Sequence, residues 1–180
     1  MPMRLEGSCR CGAVRFALDS HTPHPYQRCY CSICRKTAGS GGYGINLAGD
    51  YGTLKVTGKK NISVYRALLM DEETGRRTRS SGRRHFCKRC GSALWLWDPS
   101  WPDLVHPHAS AIDTALPVPP EHTHIMRASK ANWVEVQAQR KDRKFEGYPD
   151  ESIADWHRRL GLVTAATPGA RGKRRGGGTS

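Results

Sequence analysis

The stretch His85-Phe86-Cys87-Lys88-Arg89-Cys90-Gly91-Ser92-Ala93-Leu94-Trp95-Leu96-Trp97 decides how this chain is read. Zinc takes four ligands in a tetrahedron, and two thiols separated by two residues supply two corners from one tight turn. Gly91, directly after the second thiol, can take the positive φ that folds such a turn back under a metal. The turn lies between a strand at His85 and Phe86 and an apolar burst, Ala93 to Trp97, without helical period.

Working outward, the same grammar recurs. Cys9-Arg10-Cys11 is also followed by a glycine, Gly12, and a third group reads Cys29-Tyr30-Cys31-Ser32-Ile33-Cys34. Seven cysteines is an odd number for a disulfide framework. Met1 to Gly7 has no apolar stretch that could serve as a signal-peptide core, and Ala93 to Trp97 is far too short to cross a bilayer. A cytoplasmic protein without membrane contact is expected, and in a reducing compartment clustered thiols point to metal.

Seven divides into four plus three. A four-thiolate zinc is closed and structural, whereas a three-thiolate zinc keeps one corner for water or substrate, so two Zn2+ sites are predicted, one of each kind. Three alternatives stand beside this reading. The thiols could be unligated; Cys31 and Cys34 could form a redox pair, although no helix after a strand is evident there; or one of the eight histidines could close the second site.

Val14, Phe16 and Leu18 alternate with polar neighbours as on a half-buried strand. Short apolar bursts follow at Tyr43 to Leu47, Leu54 to Val56, Ile62 to Tyr65 and Trp133 to Val136, so the protein is expected to be mainly β. One helix is predicted over Glu151 to Leu160, started by Pro149 and Asp150 and stopped by Gly161. Ile153, Trp156 and Leu160 form its apolar stripe, and His157, Arg158 and Arg159 read as its solvated face. The run from Arg76 to Arg84 reads as an exposed basic loop. A single domain over residues 1–162 and a disordered basic tail over 163–180 are expected.

The formal charge of +13 falls to about +10 once seven thiolates hold two zinc dications. A basic surface of that size describes adsorption and solubility better than function, and nucleic acid is not expected as the primary partner. The alternative function it allows is a zinc-stapled binding module for chromatin, nucleic acid or the cytoskeleton, with the basic loop and tail as contacts.

Taken together, Gly7-Ser8-Cys9-Arg10-Cys11-Gly12-Ala13-Val14, Cys29 to Lys36, and Arg84 to Ser92 resemble the glutathione-dependent formaldehyde-activating enzyme family, which includes centromere protein V. Ala109 to Asp113, His124-Ile125, Ser129-Lys130 and Trp133 resemble its second half. The resemblance implies an Mss4-like, zinc-stabilised β fold with a short C-terminal helix. It implies that Cys9, Cys11, Cys87 and Cys90 hold a structural zinc, and that Cys29, Cys31 and Cys34 are catalytic and hold the active-site zinc. The implied activity is of carbon–sulfur lyase type, on thiol–aldehyde adducts such as S-hydroxymethylglutathione. Arg35 and Lys36, beside the triplet, are candidates to pair with the carboxylates of glutathione. His108, Asp113 and His124 are candidate acid–base groups by resemblance. Tyr30 departs from the family pattern, which commonly has histidine there, and the basic tail has no counterpart in it.

Overall fold

The computed structural model describes residues 1–71 and 73–164. Its first sheet joins β1 (Met3–Ser8), β2 (Arg15–Ser20) and β6 (Lys55–Thr57). A five-stranded antiparallel sheet has the order β5 (Gly49–Asp50), β12 (Leu104–Pro107), β11 (Ala93–Trp97), β10 (Arg83–Cys87) and β7 (Ile62–Tyr65). The third sheet runs β14 (Arg143–Lys144), β13 (Thr123–Ile125), β3 (Gln27–Cys29) and β4 (Gly44–Ile45). A separate hairpin pairs β8 (Leu68–Met70) with β9 (Arg77–Arg79). The protein is mainly β, as its apolar bursts imply.

The core forms where the first two sheets face each other. Alternation along β2 sends Phe16, Leu18 and Ser20 inward, and Leu5, Leu47, Leu94 and Val105 close around them. Phe16 meets Trp95 edge to face at 5.1 Å, which ties β2 to β11. Gly7 on β1 is required by this contact, because a Cβ there would stand 2.4 Å from the Phe16 ring.

Several expectations change in detail. Trp133 to Val136 is not a strand: it finds no ladder partner, Trp133 is exposed, and Val134 alone is buried, against Gly42. The burst from Tyr43 to Leu47 yields only the two residues of β4. The C-terminal helix, α2 (Ile153–Arg159), begins later than Glu151 because Ser152 and Asp155 form a reciprocal capping box. An unanticipated short helix, α1 (Ser32–Thr37), follows β3.

His157 corrects the reading of α2. It is fully buried rather than solvated, because Trp156 stacks on Tyr26 at 3.7 Å and draws the adjacent ring against His24 and Tyr26. Arg159, by contrast, reaches outward to Glu121 and Glu151. Among the described residues no helix is long and apolar enough to cross a membrane. Of the expected basic tail, Val163 and Thr164 are described, and Thr164 donates its N–H to the His21 carbonyl at 3.1 Å. The remainder of that segment lies outside the described residues.

Candidate functional site

Two tight turns make the first cluster. Cys9 closes β1, and Gly12 at φ +72° turns the chain back into β2. Cys87 ends β10, where Gly91 at φ +75° lets the chain return into β11, with Gly91 N–H on the Cys87 carbonyl at 2.8 Å. Pairing within and between the sheets brings the four sulfurs of Cys9, Cys11, Cys87 and Cys90 within 4.8 Å of one another. All seven cysteines are free thiols.

The second cluster sits at a strand-to-helix junction. Cys29 ends β3, Cys31 is the N-cap of α1, and Cys34 lies in its first turn, donating its N–H to Cys31 Sγ at 3.3 Å. These three sulfurs also lie within 4.8 Å of one another. The Cys31–Cys34 pair therefore does start a helix after a strand, the setting of a redox dithiol. The third thiol converging on the same point favours a metal.

The donor sets suit a cation. In the first cluster, Cys90 is pulled down to about 5 by the hydroxyl and N–H of Ser92 and the N–H of Cys11. The Ala13 N–H lowers Cys11, but burial and the neighbouring sulfurs outweigh it and push that thiol up to about 11. In the triplet, the Cys29 and Cys34 thiols hold Cys31 low. Cys29 is pushed up by the other two sulfurs and by burial. Such division is what like charges impose on one another at short range. Soft thiolates in sets of four and three are the ligands zinc takes.

The triplet opens on a cavity of about 980 Å3 that is also lined by Asn46, Arg84, His106, Leu96 and Trp101. Asn46 points its amide at Cys34 Sγ at 3.9 Å. Arg84 Nη1 is buried without a hydrogen-bond partner among the described residues. The Cys29 thiol and, more weakly, the Arg84 charge lower Cys34, but the Cys31 sulfur and burial outweigh them and hold that thiol above its usual value. His106 donates from Nδ1 to the Leu47 carbonyl at 2.8 Å, which leaves Nε2 as the free acceptor. Burial holds its pKa below the usual imidazole value.

Other candidates lie elsewhere. Arg35 and Lys36 line a second cleft of about 750 Å3 with Arg10, Ser92 and Asp113, next to Cys9. His108 is buried and brought down to about 4 by desolvation, then by the charges of Arg84 and His106. His124 is buried too, its Nε2 3.5 Å from the Asp142 carboxylate, so its Nδ1 accepts from the Tyr30 hydroxyl at 2.8 Å. None of His108, Asp113 and His124 lines the triplet's cavity. Arg84 and His106 were missed because one stood in a run read as exposed loop and the other in no motif. The available signal was strand alternation, which sends Arg84 and His85 to opposite faces of β10.

Residues 4–129 match the family described as glutathione-dependent formaldehyde-activating enzyme. A provisionally named glutathione-dependent formaldehyde-activating enzyme of Halomonas elongata is 61% identical over 160 residues, covering 89% of this chain and 98% of the relative. A crystal structure of a Rhodobacter sphaeroides protein is similar at 23% identity and a TM-score of 0.44, over 64% of this chain and 92% of its own.

Proposed function

This chain belongs to the glutathione-dependent formaldehyde-activating enzyme family, and from that premise we propose that it reversibly joins a thiol, glutathione, to formaldehyde. The reaction is of carbon–sulfur lyase type, and residues 1–162 act as one domain. The observation that carries the reading is a set of three convergent thiols, one short of a closed tetrahedron, on the wall of a cavity large enough for a tripeptide.

In this reading Cys29, Cys31 and Cys34 hold a zinc beside the substrate, and Cys9, Cys11, Cys87 and Cys90 hold another that staples β1 to the β10–β11 turn. The open-sided zinc would supply Lewis acidity, which favours a thiolate or polarises an aldehyde oxygen. The protein's own groups do the rest. Arg84, with its unpartnered nitrogen, pairs with a substrate carboxylate. Arg35 and Lys36 face the second cleft, so that task passes from them to Arg84. His106 is neutral near pH 7 with Nε2 free, so it can take the thiol proton and return it to the carbonyl oxygen.

Metal content and catalysed exchange of S-hydroxymethylglutathione, measured on the wild type and on Cys34→Ser, test the proposal together. Zinc is expected to fall from two per chain to one, and the exchange above the spontaneous rate is expected to vanish while the fold persists. One zinc in both proteins, or unchanged exchange in the variant, would contradict it.

A further inference from the structure

Formaldehyde brings a single carbon to the site, and the cavity offers far more apolar surface than one carbon can use. Its volume of about 980 Å3 stands at the upper end of the range, roughly 300–1,000 Å3, that receives drug-sized ligands. Beyond the triplet its walls carry Leu69 from β8, Leu96 from β11, Trp101, Leu104, Ile125 and Tyr148. Leu69 and Trp101 keep 43% and 46% of their surface in water, a standing cost that an apolar occupant would relieve.

Four carboxylates, Asp50, Asp103, Asp150 and Glu151, and one cation, Arg84, are among the residues on the same walls. Asp150 and Glu151 are ion-paired with Arg143, and Glu151 also with Arg159. Asp50 caps its own turn through Gly52 N–H. Arg84 remains as the cation for one carboxylate of the thiol, and Leu69, Leu96, Trp101 and Leu104 supply hydrocarbon between the polar lining residues.

Resting on the function proposed above, we propose that this cavity takes the glutathione adducts of apolar aldehydes, aliphatic or aromatic, in preference to that of formaldehyde. The thiol adds across the carbonyl: a carbon–sulfur bond forms, the carbon–oxygen π bond breaks, and the thiol proton ends on the new hydroxyl. Nothing is oxidised or reduced. The aldehyde's hydrocarbon chain then lies along Leu69, Leu96 and Trp101.

The test compares formaldehyde, acetaldehyde, hexanal and benzaldehyde, each with glutathione, by exchange NMR, counting only the rate above the spontaneous one. If each added methylene is about half buried, kcat/KM rises about twofold per carbon, or about tenfold or more from acetaldehyde to hexanal. In Leu69→Asn and Trp101→Ser, both partly exposed positions, the hexanal-to-formaldehyde ratio is expected to fall several-fold. Fastest catalysis with formaldehyde and a flat or falling series would overturn this inference and leave the proposed function standing. Catalysis of none of the four would overturn both.

Discussion

Replacing His157 by glutamine should make the protein less sensitive to acid. In the fold His157 Nδ1–H donates to the Ile153 carbonyl at 2.8 Å, and Nε2 accepts from His24 N–H at 3.2 Å. A second ring proton would have to sit on Nε2, facing that N–H, in a site with no exposure. Burial, only partly offset by the Ile153 carbonyl, brings the pKa down to about 4 from an ordinary 6.5, with His24 adding to the fall. The unfolded chain therefore takes up a proton as pH drops through 6.5, and the folded chain does not until about 4. Stability is complete above the upper value and is lost across that window. At pH 5 the loss from this one residue is about 2 kcal/mol. Glutamine can supply one donor and one acceptor here and does not titrate. Urea unfolding followed by tryptophan fluorescence at pH 7.5 and 5.0 should show the wild type losing about 2 kcal/mol more than His157→Gln. Both proteins keep the seven thiols and His108, so acid effects on those groups cancel in the difference. Equal losses, within about 0.5 kcal/mol, would refute the assignment of a buried neutral ring.

Gly91→Ala should cost about 1–2 kcal/mol in thermal or urea unfolding, because only the positive φ is penalised. A Cβ there meets nothing within 4 Å, so a cost much above that range would mean the turn carries more than its backbone geometry. Tyr30→Phe removes the hydroxyl from His124 Nδ1 and leaves a buried acceptor unpaired, for an expected loss of about 1–3 kcal/mol. An unchanged urea midpoint would show that the bond contributes nothing to stability.

The thiol spacings and the glycines after them were legible in the sequence because a two-cysteine turn is a local object. Cys87 to Gly91 contains its own bend, and Gly91 and Gly12 adopt the left-handed φ expected of them. The mainly β character was legible for a similar reason, since side-chain alternation such as that of Phe16 and Leu18 is set by strand geometry alone. The family could be recognised from the same cysteine groups.

What local pattern could not carry was the direction in which each element faces. Arg35 and Lys36 are next to the triplet in the chain but turn toward the second cleft, whereas Arg84, fifty residues beyond Cys34, reaches the triplet's cavity because β10 lies beside it. His157 looked like part of a solvated helix face. Tyr26 and His24, more than a hundred residues earlier, bury it. Sequence by itself determined the turns, the strand-rich composition of the core and the thiol groups, all of which depend on neighbours a few positions apart. Only the tertiary structure decided which thiols converge, which cation meets the cavity and which histidine loses its water, because those outcomes depend on long-range packing that brings distant segments into contact.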